Sequence, residues 1–345
     1  MSASKPIAIT MGDPAGVGGE IVLLTWLKFR DSLPPFYIFD DPNRLKELSR
    51  VTGLGVPVIP VANRQEALVG VFSEALPVVP LSRSVNTLPG MDSTSEGDMV
   101  IEAIDRAIDA ASSGQAAGMV TNPINKNRLY SFGFSSPGHT EYLGQRAGLK
   151  DSPVMLIVSQ QLKVVPVTIH LSLADAIQSL TKPEIIRTLR LTIAGLKSDF
   201  GILKPRIAVS GLNPHAGENG KMGREEIDII APAIKEFSED DAMIFGPLAG
   251  DTMFHDLARQ KYDVAICMYH DQALIPIKTL DFDNGVNVSL GLPFVRTSPD
   301  HGTAYDIAGT GSASPKSLVS AIKLASQLAK NREGKTLEET EIGAK

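Results

Sequence analysis

Short runs of β-branched residues alternate with amphipathic stretches along most of this chain. The run from Ile7 to Thr10 is an example of the first kind, and the helix-like stretch from Ile21 to Arg30 follows it after a glycine-rich turn. Such alternation is typical of a mostly parallel sheet covered by helices. The sequence therefore predicts an α/β fold, and 345 residues with 43% apolar content suffice for one large or two medium domains.

Composition excludes several classes of partner. A formal charge of -6 and a pI near 5.6 argue against a surface for nucleic acid or acidic membranes. The sequence has neither a signal-peptide pattern at its start nor a run near the roughly 20 apolar residues of a membrane span. Cys267 is the only cysteine, so a metal would have to be held by His, Asp or Glu. We expect a cytoplasmic protein that binds neither nucleic acid nor a membrane.

Three histidines follow strand-like runs. His170, His215 and His270 each come shortly after an apolar, largely β-branched segment. Because parallel strands end at one edge of a sheet, the three imidazoles could share one site. Neutral imidazole is the commonest metal ligand, and three of them leave positions open for substrate atoms. The alternative is three separate hydrogen-bonded histidines, since the spacing matches no zinc-finger or HExxH motif.

Two aspartates are candidate hydrogen-bond partners of these histidines. Asp251 and Asp271 could accept hydrogen bonds from imidazoles and so orient them toward a metal. Each could equally be a helix N-cap, because helix-like residues follow both.

Five further polar residues could converge on an oxyanion. They are His139, Thr140, Lys278, Asn287 and Arg296. Arginine binds a phosphate as a bidentate fork, and lysine binds it as a point charge. The alternative for the charged ones is ordinary solvated surface charge.

The segment from Gly12 to Glu20 is a glycine-rich turn between a strand and a helix. Small residues let backbone N–H groups approach a phosphate at a helix N-terminus. The segment nevertheless has neither the G-x-G-x-x-G spacing nor the Gly-Lys-Ser/Thr ending of known phosphate loops. A plain tight turn is an equally good interpretation.

Six ordered motifs resemble the 4-hydroxythreonine-4-phosphate dehydrogenase (PdxA) family of vitamin B6 biosynthesis, which is similar in fold to isocitrate and isopropylmalate dehydrogenases. The motifs are Gly12–Gly16, Thr121–Lys126, Gly138–Glu141, Leu212–Glu218, Met268–Gln272 and Gly291–Ser298. The resemblance extends from residue 7 to about residue 325. Their occurrence in this order is far more specific than any single motif.

The resemblance implies two α/β/α domains of the isopropylmalate dehydrogenase type, with the active-site cleft between them. Residues 1–125 and 281–345 would form the cofactor-side domain, and residues 126–280 would form the domain with the metal and the dimer contact. It also implies a homodimer whose site is completed across the subunit interface. The charged, aperiodic residues from Glu333 to Lys345 predict a frayed tail.

The resemblance also assigns roles to residues. His170, His215 and His270 would bind one divalent cation per subunit, which could be zinc, magnesium or cobalt. The residues expected to hold a phosphorylated substrate are His139, Thr140, Lys278, Asn287 and Arg296. The loop from His301 to Gly309 resembles the adenosine-side loop of the superfamily. NAD or NADP would bind there without a Rossmann fingerprint, at His301, Gly302 and Asp306.

The implied reaction is oxidation of the secondary alcohol of 4-phosphooxy-L-threonine, followed by decarboxylation to 3-amino-2-oxopropyl phosphate. Candidates for the proton acceptor are Asp251, Asp271 and Lys126. One alternative is a family paralogue that oxidises threonate 4-phosphate or an aromatic cis-dihydrodiol. Two other classes are a metal-dependent lyase or hydrolase that never uses NAD, and a catalytically silent binding protein.

Overall fold

The computed structural model describes residues 5–62, 70–91, 95–134, 136, 138–237, 240 and 242–342, with backbone alone from 335 onward. By its internal contacts the chain divides into two units. The first comprises Met1–Ser152 and Leu292–Lys330, and the second comprises Pro153–Gly291 and Asn331–Lys345. These divisions come later in the chain than the boundaries near 125 and 280 that the resemblance implies.

Within the described residues, the sheet of the first unit contains six parallel strands. In sheet order they are Val58–Pro60 (β3), Leu76–Pro80 (β4), Phe36–Asp40 (β2), Ile7–Thr10 (β1), Gly118–Val120 (β5) and Arg296–Pro299 (β12). All residues of β1, β2 and β5 are buried, as expected of strands covered on both faces. The predicted parallel arrangement is confirmed in this unit.

The described helices of the first unit precede the last helix of the chain, and two of them begin with a side-chain N-cap. They are Gly18–Phe29 (α1), Pro42–Val51 (α2), Phe72–Glu74 (α3), Gly97–Ser112 (α4), Lys126–Tyr130 (α5) and His139–Arg146 (α6), with a 3₁₀ turn at Arg30–Ser32. At α2 the Asp41 carboxylate accepts from the backbone N–H of Asn43 at 2.8 Å, and Pro42 occupies the first helical position.

Packing against α4 explains why residues 126–146 belong to the first unit. Helices α5 and α6 both contact α4. The Tyr142 hydroxyl of α6 donates to Asp105 of α4 at 2.8 Å, and the Tyr142 ring stacks on Phe134 with centroids 4.7 Å apart. The first residues of α5 and α6, Lys126 and His139, are held in place by this packing.

The sheet of the second unit is mixed. In sheet order its strands are Val286–Leu290 (β11), Val154–Val158 (β6), Lys163–Pro166 (β7), Val264–Cys267 (β10), Arg206–Ser210 (β8) and Met243–Leu248 (β9). The pairs β11–β6 and β6–β7 are antiparallel, whereas β7, β10, β8 and β9 run parallel. The strands before His170, His270 and His215 are therefore the three neighbours β7, β10 and β8.

Five α-helices, two 3₁₀ turns and one π turn complete the second unit as described. The helices are Leu173–Ser179 (α7), Lys182–Ser198 (α8), Ala231–Ile234 (α9), Asp256–Arg259 (α10) and His270–Leu280 (α11). The turns are a 3₁₀ turn at Pro214–Gly220, a π turn at Glu226–Ile230 and a 3₁₀ turn at Gly250–Thr252. Thr181 caps α8 by accepting from the N–H of Glu184.

The last helix, Lys316–Ile342 (α12), is longer than the sequence predicts. The frayed tail predicted from Glu333 onward is wrong as far as Ile342. Asn331 Nδ2 donates to the Asp199 carbonyl at 2.6 Å and Arg332 pairs with the Asp199 carboxylate at 2.8 Å. Lysine, glutamate and leucine, which favour helix, continue it beyond this anchor. Across the described residues, no helix is both long and apolar enough to cross a membrane.

Candidate functional site

Hydrogen bonds beyond the ends of β7 and β10 bring two of the predicted metal ligands together. The N–H of Val167 donates to the Cys267 carbonyl at 2.8 Å, and the Thr168 hydroxyl donates to the Met268 carbonyl at 2.8 Å. His170 and His270 follow directly, and their ring centroids are 5.9 Å apart. With metal–nitrogen bonds of about 2 Å, two imidazole centroids around one cation lie at most roughly 6 Å apart. The pair therefore fits a shared cation.

A carboxylate orients the ring of His270. Its Nδ1 lies 2.7 Å from Asp271 Oδ1. A hydrogen bond at Nδ1 leaves Nε2 as the ligand atom, and such carboxylate partners raise the basicity of metal-binding imidazoles. The N-cap interpretation of Asp271 is wrong, because Tyr269 occupies that position of α11.

Asp251 is likewise not a helix N-cap. It lies inside the 3₁₀ turn Gly250–Thr252, and Ala249 occupies the cap position. The side chain is exposed at the end of β9, in the same unit as the histidines. It is therefore accessible to a ligand.

His215 lies in a strained turn. Residues from His215 to Asn219 all have φ between 44° and 79°, a left-handed conformation that non-glycine residues adopt only at a cost of about 1–3 kcal/mol each. Buried Glu226 braces this turn by accepting from the Asn213 N–H at 2.7 Å and from Asn213 Nδ2 at 3.0 Å. His170 also has a positive φ, of 53°. Such strain clusters at functional sites.

The third ring does not join the other two in the single chain. Among the residues that the structure describes, no three His, Cys, Asp or Glu side chains are grouped closely enough to hold a metal. The structure therefore pairs His170 with His270, and Asp271 holds the His270 ring rather than supplying a third ligand. His215 is at the end of the neighbouring strand but outside that group.

Two predicted substrate residues also lie in the second unit. Lys278 is in the last turn of α11, with its ammonium nitrogen 5.8 Å from the centroid of the Phe282 ring. Asn287 is on β11, and both side chains are half-buried.

Arg296 is a buried cation at the start of β12 in the first unit. It is 3% exposed, and its Nε and Nη2 donate to the Thr121 hydroxyl at 3.2 and 2.6 Å. Burial lowers the pKa of the Arg296 guanidinium to about 10, although the Glu141 carboxylate acts in the opposite direction. The interpretation of Arg296 as solvated surface charge is therefore wrong.

His139 lies beside this cation at the first position of α6. Its Nε2 is buried and makes no hydrogen bond within the described part of the chain. Burial, then the charges of Arg296 and Lys126, lower the pKa of His139 well below its ordinary value. The ring is therefore neutral at pH 7, with Nε2 available to a ligand. Thr140 follows it, half-buried, in the same turn.

The side chains of Lys126 and Glu141 lie near Gly138, the residue before His139. A Cβ on Gly138 would lie 3.0 Å from Glu141 Oε2 and 3.4 Å from Lys126 Nζ, so both side-chain ends lie close to this glycine. The first unit thus collects two cations, one neutral imidazole and one carboxylate. Such a group can bind a phosphate or a carboxylate.

The predicted cofactor residues lie on an irregular loop of the first unit. His301 Nδ1 is 3.0 Å from the Gly302 carbonyl, and Gly302 and Asp306 are exposed. Their accessibility suits a ligand-binding loop, which is where binding residues are usually found.

Buried acids fix this loop to the glycine-rich turn. The Glu20 carboxylate, fully buried on α1, accepts from the N–H groups of Gly309 at 2.7 Å and Ala313 at 3.0 Å. Asp13 accepts from the Tyr305 hydroxyl at 2.7 Å. The turn from Gly12 to Glu20 therefore supports the loop, a role that neither sequence interpretation included.

Sequence reasoning missed several contributors. Thr121 and Glu141 act on Arg296, and Glu226 braces the turn of His215. All three belong to the quoted motifs or lie within eight residues of one. Each of them acts on a residue that is distant in the sequence, so no local sequence pattern indicated these contacts.

The neutral His139 gives a testable dependence of stability on pH. An unfolded histidine takes up a proton below about pH 6.5. The folded protein cannot, so its free energy of unfolding should fall as the pH decreases below that value. His139→Gln should weaken this fall by about 1 kcal/mol per pH unit between pH 6.5 and 5, measured by urea denaturation. His255→Gln, at an exposed position, is the control, and equal pH slopes in all three proteins would contradict the assignment.

Comparison with known proteins identifies the family. The family model described as "Pyridoxal phosphate biosynthetic protein PdxA" matches residues 32–325. A 4-hydroxythreonine-4-phosphate dehydrogenase of Bradyrhizobium diazoefficiens is 50% identical over 337 residues, which cover 95% of this chain and 98% of that protein. A crystal structure of 4-hydroxythreonine-4-phosphate dehydrogenase from Klebsiella pneumoniae matches with a TM-score of 0.84 and 37% identity, covering 95% and 99% of the two chains.

A more distant structure shows how the scaffold varies. A terephthalate 1,2-cis-dihydrodiol dehydrogenase from Burkholderia xenovorans LB400 matches with a TM-score of 0.63 and 26% identity, over 94% of this chain and 98% of that one. The extent and identity of the closer matches agree with the six sequence motifs. The chain belongs to the PdxA family, a family of dehydrogenases.

Proposed function

We propose that this protein catalyses the NAD(P)-dependent and divalent-metal-dependent oxidation of 4-phosphooxy-L-threonine, with decarboxylation to 3-amino-2-oxopropyl phosphate, in pyridoxal 5'-phosphate biosynthesis. The observation that carries the proposal is the buried Arg296 beside the neutral, inward-facing His139. A buried cation at a site with an unused hydrogen-bonding nitrogen is suited to a phosphate. Relatives with the corresponding activity in their names support the choice of substrate.

The phosphate end of the substrate would be held by five side chains. Arg296 supplies charge-assisted hydrogen bonds from a position set by Thr121, and His139 supplies one further bond through Nε2. We include Thr140, Lys278 and Asn287 as further phosphate or substrate ligands. Their half-buried positions allow contact with a ligand.

The metal would be held by His170, His215 and His270. The 5.9 Å separation of two of these rings and the Asp271 contact to His270 support this donor set. When bound, a divalent cation, which we expect to be zinc, magnesium or cobalt, supplies Lewis-acid polarisation of the substrate's oxygen atoms. A homodimer that completes the site is part of this proposal.

The proton acceptor would be one of three groups. Asp271 is engaged with His270, so its role there is to hold the imidazole in one tautomer. Asp251 remains the carboxylate candidate on the metal side. Lys126 lies with the phosphate ligands and is better placed to add positive charge there than to accept a proton.

The dinucleotide would bind at the loop of His301, Gly302 and Asp306. The anchoring of this loop by buried Glu20 supports a binding role, because it limits the entropy that binding must overcome. We propose NAD or NADP as the cofactor, and the cytoplasm as the location.

One assay tests the function. Metal-depleted protein receives 4-phosphooxy-L-threonine, NAD or NADP, and zinc, magnesium or cobalt. The expected result is a rise in nicotinamide absorbance, with one carbon dioxide released per dinucleotide reduced. Metal-dependent turnover without that rise would instead indicate a lyase or hydrolase.

The second candidate is a paralogue of the same family. The match to a cis-dihydrodiol dehydrogenase shows that related chains carry names for other substrates. A dihydrodiol of terephthalate would offer Arg296 a carboxylate in place of a phosphate, whereas threonate 4-phosphate keeps the phosphate. Higher kcat/KM for either compound than for 4-phosphooxy-L-threonine would replace the proposal.

A further inference from the structure

We propose that Gln272 is a positioning residue that joins the segments of His215 and His270 and thereby sets the affinity for the divalent cation. The inference rests on the proposed metal site. It concerns a side chain that has no ligand role of its own. Its amide touches the backbone at the ends of two neighbouring strands.

The Gln272 side-chain amide accepts one hydrogen bond and donates another. The N–H of Met268, just after β10, donates to Gln272 Oε1 at 2.7 Å. Gln272 Nε2 donates to the carbonyl of Gly211, just after β8, at 2.8 Å. One side chain therefore continues the connection between β10 and β8 where the strands end. This requires a donor and an acceptor on one side chain, which an amide provides.

A third segment lies against the same amide. A Cβ placed on Gly250 would be 3.3 Å from Gln272 Nε2 and 3.3 Å from the Ser210 hydroxyl. That hydroxyl donates to the Gly211 carbonyl at 2.9 Å, so the carbonyl accepts two hydrogen bonds. The turn that carries Asp251 therefore also packs on Gln272.

The placement of Gln272 links it to the predicted ligands. It lies two residues after His270, in the first turn of α11. Gly211 lies four residues before His215, and Glu226 and Asn213 brace the turn between them. Shifts at Gly211 are thus transmitted to His215 through a stiff segment. Without the amide, the segments that carry His215 and His270 would no longer be fixed to each other at the ends of β8 and β10, so the position of each imidazole would be less well defined.

Two variants separate this role from simple packing. Gln272→Met keeps the volume of the side chain and removes both hydrogen bonds. Gln272→Glu keeps the acceptor for Met268 but places an oxygen against the Gly211 carbonyl. An added negative charge would by itself attract a cation, so weaker binding by Gln272→Glu could not be caused by charge.

The experiment uses Co²⁺ alone as the probe of the full-length, metal-depleted protein. Its dissociation constant is measured by calorimetry, and its visible absorption reports the coordination. Both Gln272 variants should bind Co²⁺ about 10- to 100-fold more weakly, with changed absorption bands. Gln160→Glu, which makes the same charge change at an exposed position of this unit, should bind as the parent does.

Each outcome has one meaning. Parent-like affinity and absorption in Gln272→Met would overturn the inference while leaving the metal site intact. If that variant does not fold, Gln272→Glu decides by the same readout. A parent protein that binds Co²⁺ no better than its His270→Ala variant would overturn both the proposed metal site and the inference.

Discussion

Arg296→Met is expected to raise the KM for the phosphorylated substrate by about 100-fold while leaving the folded protein at least as stable as the parent. Losing one partner of a buried, charged hydrogen bond typically costs about 2–5 kcal/mol. This would apply to the complex with phosphate. In the free protein the effect is opposite, because burial already disfavours the charged guanidinium.

The size of that opposing effect follows from the pKa of Arg296. Burial lowers the pKa of Arg296 to about 10, and each unit of such a fall corresponds to roughly 1.4 kcal/mol against the charged form, so the cost of burying the guanidinium is on the order of a few kcal/mol. Methionine has no charge to desolvate and a similar length, so the free energy of unfolding in urea should not decrease. The KM for the dinucleotide should change little, since the predicted cofactor residues lie on another loop.

Arg50→Met is the matched control for this prediction. Arg50 is exposed on α2 and pairs with Glu47 at 2.6 Å. Its replacement should leave both KM values near those of the parent. If Arg296→Met raised the KM values for substrate and dinucleotide equally, its assignment to the phosphate would be rejected.

The strand ends of the second unit could be predicted, but their order could not. Each histidine follows an apolar run, which is a local pattern that the sequence displays. That β10 lies between β7 and β8 is a long-range pairing, although β10 comes last of the three in the chain. The adjacency of His170 and His270 depends on this order.

Protonation states that depend on burial could not be predicted from the sequence. A neutral His139 and an Arg296 with a lowered pKa result first from burial, and the charge of Arg296, which is far from residue 139 in the chain, adds to the effect at His139. The left-handed turn at His215 is equally hidden, because Ala216 and Glu218 are residues that ordinarily favour a right-handed helix. Buried Glu226, which braces the turn, resembles any surface glutamate in the sequence.

The two N-cap interpretations failed for a related reason. Asp251 and Asp271 precede helix-like residues, so N-capping was a reasonable local interpretation. In the structure, Asp271 is already inside α11 and is engaged with His270. Tertiary contacts likewise assign residues 126–146 to the first unit through their packing on α4.

His270→Ala is expected to lower the metal-dependent kcat by about 1000-fold or more, with little loss of stability in the metal-free protein. A bound metal contributes several kcal/mol to such reactions, and each 1.36 kcal/mol corresponds to tenfold in rate. His270 is on the first turn of α11 and half-exposed, so its truncation leaves no core cavity. The fold should therefore survive the change.

Two further variants grade this effect. Asp271→Asn keeps the size of the side chain and removes the charge beside His270 Nδ1, so metal affinity should fall about 10- to 100-fold, less than for His270→Ala. His255→Ala, at an exposed position of the same unit, should retain full activity. Higher metal concentrations should restore Asp271→Asn but not His270→Ala, because only the latter lacks a ligand atom. Full activity of His270→Ala at limiting metal would exclude this imidazole from the site.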